Sequence, residues 1–168
     1  ERAFVFHRTP HWVAPARDYY KRVETGIICA LNHIRFYASW HRARMIWIYG
    51  DRNWGAVETD NAWSSPEKDA GLSINEVNQG MRDGLTAYIE AILGETKPQY
   101  VEHCVPNFPV FGKRLIVDNS WYETLSRDNV NLVSSPISEI TTDAIMTVDG
   151  ERHEVDCIIF ATGFKSND

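Results

Sequence analysis

Residues 3–10 have the sequence AFVFHRTP, in which a short apolar run passes into a polar loop. The apolar residues predict a buried β-strand, and Pro10 closes it because proline has no N–H to donate to a sheet ladder. Near the other end of the chain, residues 157–160 (CIIF) form a second apolar run, which predicts a buried parallel strand. Helical periodicity between the two strands completes the pattern of an α/β fold.

The block from about residue 19 to residue 94 carries that helical periodicity. Residues 19–49 are predicted to be helical, because apolar residues recur there at three- and four-residue spacing and form one stripe. The stripe consists of Val23, Ile27, Ile28, Leu31 and Ile34. Residues 51–65 are rich in turn-forming residues and are expected to form a loop.

A second helix is predicted from its two ends. Ser73 is followed three residues later by Glu76, which is the spacing of a capping box at a helix N-terminus. The helix is expected to end at Leu93, because Gly94 follows it. Residues 98–112 are interrupted by prolines and are expected to form a loop.

The last third of the chain has the pattern of short strands. Residues 115–117 and 130–133 each predict one strand. The dipeptide Asp149-Gly150 lies between two strand-like segments, residues 145–148 and 153–155. It predicts a β-hairpin, because these residue types tolerate the backbone angles of a tight turn.

The composition limits the classes of partner. The 168 residues are 43% hydrophobic and carry a net charge of −6, with a pI near 5.5. Such an acidic chain lacks the basic face that binding to nucleic acid requires. No apolar run approaches the ~18 residues of a membrane span. We therefore expect a globular protein whose partners are neither nucleic acids nor a membrane.

The cysteines and histidines give little support to metal or redox chemistry. Cys29, Cys104 and Cys157 are widely spaced and form no Cys-x-x-Cys pair. Their odd number and their spacing predict reduced, mostly buried thiols in a cytoplasmic protein. The histidines do not recur at metal-ligand spacing, so no metal site is predicted.

Arg8 follows the first predicted strand, at the position that faces the adenosine ribose in a dinucleotide-binding fold. A basic residue there accommodates the 2′-phosphate of NADP through paired hydrogen bonds, to which the Thr9 hydroxyl can add. The alternative is a surface arginine at a strand end. No Gly-x-Gly-x-x-Gly sequence occurs, so the phosphate-binding turn of any Rossmann unit is expected before Glu1.

Lys113 and Arg114 follow Gly112 and precede a predicted strand, which is expected to place them at a strand mouth where ligands bind in open α/β sheets. Adjacent side chains point in different directions. One can therefore reach a phosphate while the other stabilises an anionic intermediate. The alternative is a solvated basic pair.

Two small residues, Ala161 and Gly163, follow the apolar run at residues 157–160. They let the backbone approach a neighbouring group closely. That group is either a cofactor or an adjacent helix.

Four segments, taken in order, resemble the Baeyer–Villiger flavin monooxygenase family. They are residues 5–15 (VFHRTPHWVAP), 107–114 (NFPVFGKR), 121–133 (WYETLSRDNVNLV) and 156–164 (DCIIFATGF). The segment NFPVFGKR, with DNSWY at residues 118–122, is most similar to the 4-hydroxyacetophenone monooxygenase-like branch. Each segment alone is weakly specific, but four in this order are specific.

The resemblance implies FAD and NADPH as cofactors and a ketone and O2 as substrates. Arg8 and Thr9 would bind the 2′-phosphate of NADPH, with Lys113 assisting. Arg114 would be the active-site arginine that stabilises the negatively charged flavin peroxide and the intermediate formed when it attacks the ketone. The small residues of the last segment, Ala161, Thr162 and Gly163, would contact cofactor.

The resemblance also implies a domain organisation. Residues 1–155 would be part of an NADP-binding Rossmann-like domain with a helical insertion and a β-hairpin, and residues 156–168 a return strand and linker towards an FAD-binding domain. Most of that FAD-binding domain, and both glycine-rich fingerprints, are expected outside this sequence. The expected partner is the remainder of the polypeptide, and the chain alone is expected to be unstable and inactive. Two alternatives remain, an N- or S-oxygenating flavin monooxygenase and a non-catalytic nucleotide-binding module.

Overall fold

The computed structural model describes residues 1–16 and 21–163. The chain forms two compact units: one joins residues 1–8 to the segment from residue 128 onwards, and the other runs from Thr9 to Arg127. The strands are β1 (Ala3–Phe6), β2 (Val13–Ala14), β3 (Ile116–Val117), β4 (Val130–Val133), β5 (Ile137–Ile140), β6 (Ala144–Thr147) and β7 (Arg152–Glu154). The α-helices are α1 (Thr25–His33), α2 (Tyr37–Tyr49), α3 (Pro66–Asp69), α4 (Glu76–Leu93), α5 (Pro98–Cys104) and α6 (Trp121–Leu125). Residues 19–20 of the predicted helical block and 164–168 of the predicted return segment lie outside the described residues.

The first unit is built from strands. β1 and β4 pair in parallel, with Phe4 opposite Asn131 and Phe6 opposite Val133. β5, β6 and β7 form an antiparallel sheet in that order. The His153 ring on β7 packs against the rings of Phe4 and Phe6, at centroid distances of 5.1 and 5.4 Å. This aromatic contact links the parallel pair to the antiparallel sheet.

The predicted β-hairpin is confirmed. β6 and β7 pair with Ile145 opposite His153, and the connection between them contains Gly150 with a φ of 89°. Glycine adopts this left-handed conformation without steric cost. The sequence does not predict β5, because residues 137–140 (ISEI) lack the alternation of apolar and polar residues that is typical of a half-buried strand. In the structure, Ile137 and Ile140 are both exposed.

α4 forms the centre of the second unit. Leu85, Ile89 and Leu93 recur on one face of α4 and are buried, the last two completely. Burial of each such side chain contributes about 1.5–3 kcal/mol to stability. The buried residues that α5 and α6 add to this core are Tyr100, Cys104, Tyr122 and Leu125.

α4 ends at Leu93 as predicted, but it begins with a different cap. Asn75, not Ser73, caps the helix by accepting a hydrogen bond from the N–H of Asn78 at 2.7 Å. The Asn75 amide nitrogen also donates to the Gly55 carbonyl at 2.8 Å, and the Ser73 hydroxyl instead donates to the Gln79 side chain.

The predicted loop at residues 98–112 is wrong in its first half, which forms α5. Pro98 stands at the start of α5, where its missing N–H has no intrahelical partner to lose. Tyr100 and Cys104 are buried, so tertiary packing stabilises this short helix. Residues 51–65 likewise begin with a 3-10 helix, Asp51–Ala56, instead of an irregular loop.

The predicted helical region up to residue 49 forms two helices. α1 and α2 are separated at Phe36, whose φ of 65° cannot continue a right-handed helix. The apolar stripe is not covered by the described residues: Val23, Ile28 and Ile34 are 51, 44 and 58% exposed. Helical periodicity therefore identifies an apolar face here without supplying the surface that covers it.

The predicted buried strand at residues 157–160 is wrong for the described chain. None of the described strands includes these residues, and Ile159 and Phe160 are 86 and 73% exposed. An apolar run becomes a strand only where a neighbouring strand satisfies its backbone groups. The prediction of mostly buried thiols is also wrong for the described chain, since Cys29 on α1 and Cys157 are exposed and only Cys104 is buried.

In the described ranges, every helix is too short or too polar to cross a lipid bilayer. The same residues contain no group of three or more histidine, cysteine, aspartate or glutamate side chains placed to hold a metal ion.

Candidate functional site

Arg8 lies two residues beyond the end of β1. The N–H of His7 still donates to the Val133 carbonyl at 3.2 Å, so Arg8 stands at the carboxyl end of the parallel β1–β4 pair. Ligands of open α/β sheets bind at this end of the strands. Arg8 is exposed, and within the described ranges its side chain makes no hydrogen bond or ion pair. Its guanidinium is therefore available to an anion.

The other predicted residues are divided between the two units. Ala161, Thr162 and Gly163 belong to the same unit as Arg8, and they are exposed and outside regular secondary structure. Gly163 has a φ of 85°, a conformation that favours glycine. Thr9, Lys113 and Arg114 belong to the second unit. Lys113 and Arg114 are consecutive residues of one segment.

Lys113 and Arg114 lie just before β3, which starts at Ile116 and pairs in parallel with β2. They are therefore at the amino end of β3. The expectation that they sit at a ligand-binding strand mouth is wrong, because that mouth is the carboxyl end of parallel strands. The position of Lys113 and Arg114 is instead set by the loop that precedes them.

That loop, residues 106–112, is held by side chains that donate to its carbonyl oxygens. Arg82 Nη1 donates to the carbonyls of Pro106 and Phe108, at 3.1 and 3.4 Å. Trp12 Nε1 also donates to the Phe108 carbonyl, at 2.9 Å. Backbone groups outside helices and sheets need such partners when water is excluded. The path of the loop is thus fixed by residues far away in the sequence.

Asn78 supplies a further anchor for the 106–112 loop. Its side chain is fully buried, and Nδ2 donates to the Val110 carbonyl at 2.8 Å and to the Ala56 carbonyl at 2.9 Å. Both partners are acceptors, which fixes the end of the amide that carries the nitrogen. Asn78 and Arg82 are four residues apart on α4, so the two donors lie on one helix face.

Arg82 makes its contacts as a cation. Burial lowers the pKa of Arg82, and the carboxylates of Asp83 and Glu67 act in the opposite direction. A guanidinium nonetheless stays protonated in proteins at neutral pH. Its Cζ lies 5.1 Å from the centroid of the Trp12 ring, within the range of a cation–π contact. The charge strengthens the hydrogen bonds to the loop carbonyls.

A tight turn ends the 106–112 loop. The N–H of Gly112 donates to the Pro109 carbonyl at 2.9 Å, and Phe111 has a φ of 65°. This left-handed conformation costs a residue other than glycine roughly 1–2 kcal/mol. A Cβ on Gly112 would lie 3.0 Å from the Pro109 oxygen and 3.4 Å from Cδ2 of Phe108. The close approach inside the turn therefore leaves little room for a side chain at residue 112.

The two cations that follow the turn have different surroundings. Lys113 Nζ lies 4.6 Å from the centroid of the Phe108 ring, and the ring of His11 packs edge-on against Phe108 at 6.5 Å. Arg114 is exposed, and its side chain has no hydrogen bond, ion pair or ring contact with residues 1–16 or 21–163. The chain thus positions Lys113 and leaves the Arg114 guanidinium available to an anion.

α4 also holds the segment that follows the basic pair. The Tyr88 hydroxyl donates to Asp118 Oδ2 at 2.6 Å, and Asp118 Oδ1 accepts from the N–H of Trp121 at 2.7 Å. Burial, followed by the hydrogen bond to Asp118 and its charge, raises the pKa of Tyr88 above its ordinary value. One helix therefore fixes the chain on both sides of Lys113 and Arg114.

The sequence does not predict these anchoring residues. Asn78 and Arg82 stand at positions of α4 that continue the buried face of Leu85 and Ile89. A polar residue at such a position is the one pattern that indicates an anchor, since buried polar groups need partners. Trp12 packs in the core, with 1% of its surface exposed, and its indole N–H also has a specific acceptor.

Comparison with known proteins finds no matching family model. The chain is 34% identical over 162 residues to an uncharacterised monooxygenase of Sinorhizobium fredii, y4iD, covering 96% of the chain and 24% of that protein. It is 27% identical over 169 residues to a Baeyer–Villiger monooxygenase of Streptomyces coelicolor, covering 100% of the chain and 29% of that protein. The phenazine N-monooxygenase PhzNO1 of Lysobacter antibioticus is 36% identical over 92 residues, which are 53% of the chain and 16% of that protein.

Solved structures share the fold over almost the whole chain. OTEMO in complex with FAD and NADP matches with a TM-score of 0.65 and 25% identity, covering 99% of this chain and 34% of its own. Cyclohexanone-bound cyclohexanone monooxygenase has a TM-score of 0.66 at 24% identity, covering 99% and 36%. The chain spans between 24% and 36% of the length of y4iD, the Streptomyces enzyme and these two structures.

Two observations indicate the same family. One is the order of the four sequence segments, three of which contain Arg8, Arg114 and Gly163. The other is the similarity to named monooxygenases. The α/β fold shared with solved structures over 99% of the chain adds a third observation. Together these observations support the assignment of the chain to the Baeyer–Villiger monooxygenase family.

Proposed function

We propose that the protein containing this chain is an FAD- and NADPH-dependent monooxygenase that converts a ketone to an ester or lactone. The reaction consumes the ketone, O2, NADPH and a proton and yields the ester, NADP⁺ and water, so that one oxygen atom enters the product. The observation that supports this proposal is the position of Arg114. Its guanidinium is exposed and unpaired among the described residues, on a segment that α4 fixes on both sides.

The role of Arg114 follows from its charge. Addition of oxygen to a ketone develops negative charge on the carbonyl oxygen, and a cation already in place stabilises that charge without reorganising. An arginine serves because it does not lose its proton at any working pH. Removal of one such donor typically lowers the rate by about 10²–10³.

Arg8, Thr9 and Lys113 are the proposed ligands of the NADPH 2′-phosphate. The fit rests on an exposed, unpaired Arg8 at the carboxyl end of parallel strands and on a Lys113 ammonium without an ion pair in the described chain. When bound, NADPH supplies the reducing electrons and FAD supplies the oxygen chemistry. The chain contributes position and charge.

The proposed domain organisation keeps residues 1–155 as part of an NADP-binding Rossmann-like domain and residues 156–168 as the path towards an FAD-binding domain. Ala161, Thr162 and Gly163 would contact the cofactor there. The exposure of Ile159 and Phe160 supports a partner surface for this path, which we assign to the remainder of the polypeptide. The short share of its relatives that the chain spans also supports that assignment.

We also assign the protein to a branch of the family and to a cellular compartment. The segment at residues 107–114 supports the 4-hydroxyacetophenone monooxygenase-like branch. The free thiols of Cys29, Cys104 and Cys157 support a reducing compartment such as the cytoplasm.

N-oxygenation is the second candidate, and the similarity to PhzNO1 favours it. An amine or ring nitrogen that accepts oxygen develops no negative charge on a substrate carbonyl. Arg114 would then contribute far less to the rate. The two candidates differ in their dependence on this residue as well as in their products.

The test uses the full-length protein and three forms of it: the wild type, Arg114→Ala and Arg127→Ala. Arg127 is an exposed arginine of the same unit and serves as the matched control. We expect the wild type and the control to consume NADPH under air and to give, by mass spectrometry, a product one oxygen heavier than the ketone. Arg114→Ala should still oxidise NADPH but form about 10²–10³ times less ester.

Ester formation that is unaffected by Arg114→Ala would contradict the role of Arg114. An N-oxide from an amine or heteroaromatic substrate, with no ester from any ketone, would replace the proposal by the second candidate. Absence of flavin and of turnover in the full-length protein would favour the non-catalytic nucleotide-binding module.

A further inference from the structure

We propose that Phe108 is a positioning residue for Lys113 and thereby sets the preference of the enzyme for NADPH over NADH. This inference rests on the proposed function, in which Lys113 contacts the 2′-phosphate that distinguishes the two cofactors. Its basis is the cation–π contact between the Lys113 ammonium and the Phe108 ring, 4.6 Å from the centroid.

The ring is the only partner of this ammonium in the described chain. A distance of 4.6 Å is well inside the limit of about 6 Å for attraction by the ring face. Lys113 is otherwise exposed, and a lysine with four rotatable bonds samples many positions in water. The contact therefore selects one set of positions. Because an ammonium has three N–H donors, it can remain over the ring and still donate to a phosphate.

The ring itself is held from its backbone and from its face. The Phe108 carbonyl accepts hydrogen bonds from Trp12 Nε1 at 2.9 Å and from Arg82 Nη1 at 3.4 Å. The His11 ring packs edge-on against it, and Gly112 has no side chain beside Cδ2 of the ring. Arg82 on α4 and the two residues before β2, His11 and Trp12, thus fix Phe108, and Phe108 positions the lysine.

The consequence for cofactor choice is specific. A fixed ammonium loses less freedom when it binds a phosphate, so its benefit appears only with the cofactor that carries the 2′-phosphate. A cation–π contact at an exposed site corresponds to a change of about 2- to 5-fold in an equilibrium constant. A residue that only stabilised the 106–112 loop would also lower kcat with both cofactors, because Arg114 follows the same loop.

The experiment measures kcat and KM for NADPH and for NADH with the full-length enzyme. The variants are Phe108→Leu, Phe108→Tyr, Lys113→Ala and the double variant Phe108→Leu/Lys113→Ala. We expect Phe108→Leu to raise the KM for NADPH about 2- to 5-fold, with the KM for NADH and both kcat values unchanged. Phe108→Tyr should behave as the wild type, since it keeps the ring. The double variant should be no worse with NADPH than Lys113→Ala.

Should Phe108→Leu fail to fold, a trifluorinated phenylalanine at this position keeps the shape of the ring and removes the negative charge of its face. It should raise the KM for NADPH in the same way. The inference is overturned if Lys113→Ala raises the KM for NADPH while Phe108→Leu does not. It is also overturned if Phe108→Leu raises the KM for both cofactors equally or lowers kcat with both. If Lys113→Ala itself leaves NADPH binding unchanged, Lys113 does not bind the 2′-phosphate as proposed. The inference about Phe108 is then wrong as well.

Discussion

Asn78 on α4 donates a 2.8 Å hydrogen bond to the carbonyl of Val110, 32 residues further along the chain, and both residues are almost completely buried. The same amide nitrogen donates to the Ala56 carbonyl at 2.9 Å. One side chain therefore satisfies two backbone carbonyls, one at the end of the 3-10 helix and one in the 106–112 loop. It joins the 3-10 helix, the central helix and the loop before the basic pair.

Replacement of the Asn78 side chain should lower the stability of the fold. In Asn78→Ala the two carbonyls lose this donor in a site that excludes water, and each unsatisfied buried group costs about 1–3 kcal/mol. We expect the free energy of unfolding to fall by roughly 2–4 kcal/mol, measured from the urea midpoint of the full-length protein. Asn61→Ala is the control, since Asn61 is exposed. Equal midpoints for the two variants would show that Asn78 does not anchor the loop.

Gly112→Ala tests the turn that presents Lys113 and Arg114. The added Cβ would approach the Pro109 oxygen to 3.0 Å, and a backbone atom can yield only by moving the turn. We expect a loss of about 1–3 kcal/mol in stability, as in other overpacked sites, and a fall in kcat/KM for the ketone.

Gly55→Ala is the matched control for this turn, because a Cβ on Gly55 meets nothing within 4 Å. Its melting temperature and kcat/KM should equal those of the wild type. A Gly112→Ala protein with both quantities unchanged would mean that the turn tolerates the shift and does not position the basic pair.

Residue type and local order were enough to predict part of this molecule. The turn at Asp149-Gly150 follows from the types of these two residues, and the hairpin is found where it is predicted. The end of α4 at Leu93 follows in the same way from the glycine after it. In both cases the determining interactions lie within a few residues.

The anchors of the 106–112 loop could not be predicted, because their partners are backbone carbonyls. Arg82 donates to the carbonyls of Pro106 and Phe108, 24 and 26 residues away, and a carbonyl has no sequence signature. The apolar run at residues 157–160 shows the converse. Its sequence predicts a strand, but its exposure in the described chain depends on a partner that lies outside local sequence.

Alkaline pH should weaken the second unit through Cys104. Burial raises the pKa of this thiol from 9.0 to about 11. Between these values the unfolded chain loses the proton while the folded chain keeps it. The folded state then binds more protons, and the free energy of unfolding must fall as the pH rises. Below pH 9 the thiol is protonated in both states, and the contribution of at most about 2–3 kcal/mol is complete.

Urea midpoints of the full-length protein at about pH 8 and about pH 10.5 measure this slope. Burial also raises the pKa of Tyr122, which adds to the slope in the same direction at higher pH. Cys104→Ala removes the thiol, so its stability should depend less on pH, whatever the cavity costs at both values. Cys29→Ala should keep the full slope, because Cys29 is exposed. If both variants lose stability with pH as steeply as the wild type, Cys104 titrates alike in the folded and unfolded chain and its burial does not protect the thiol.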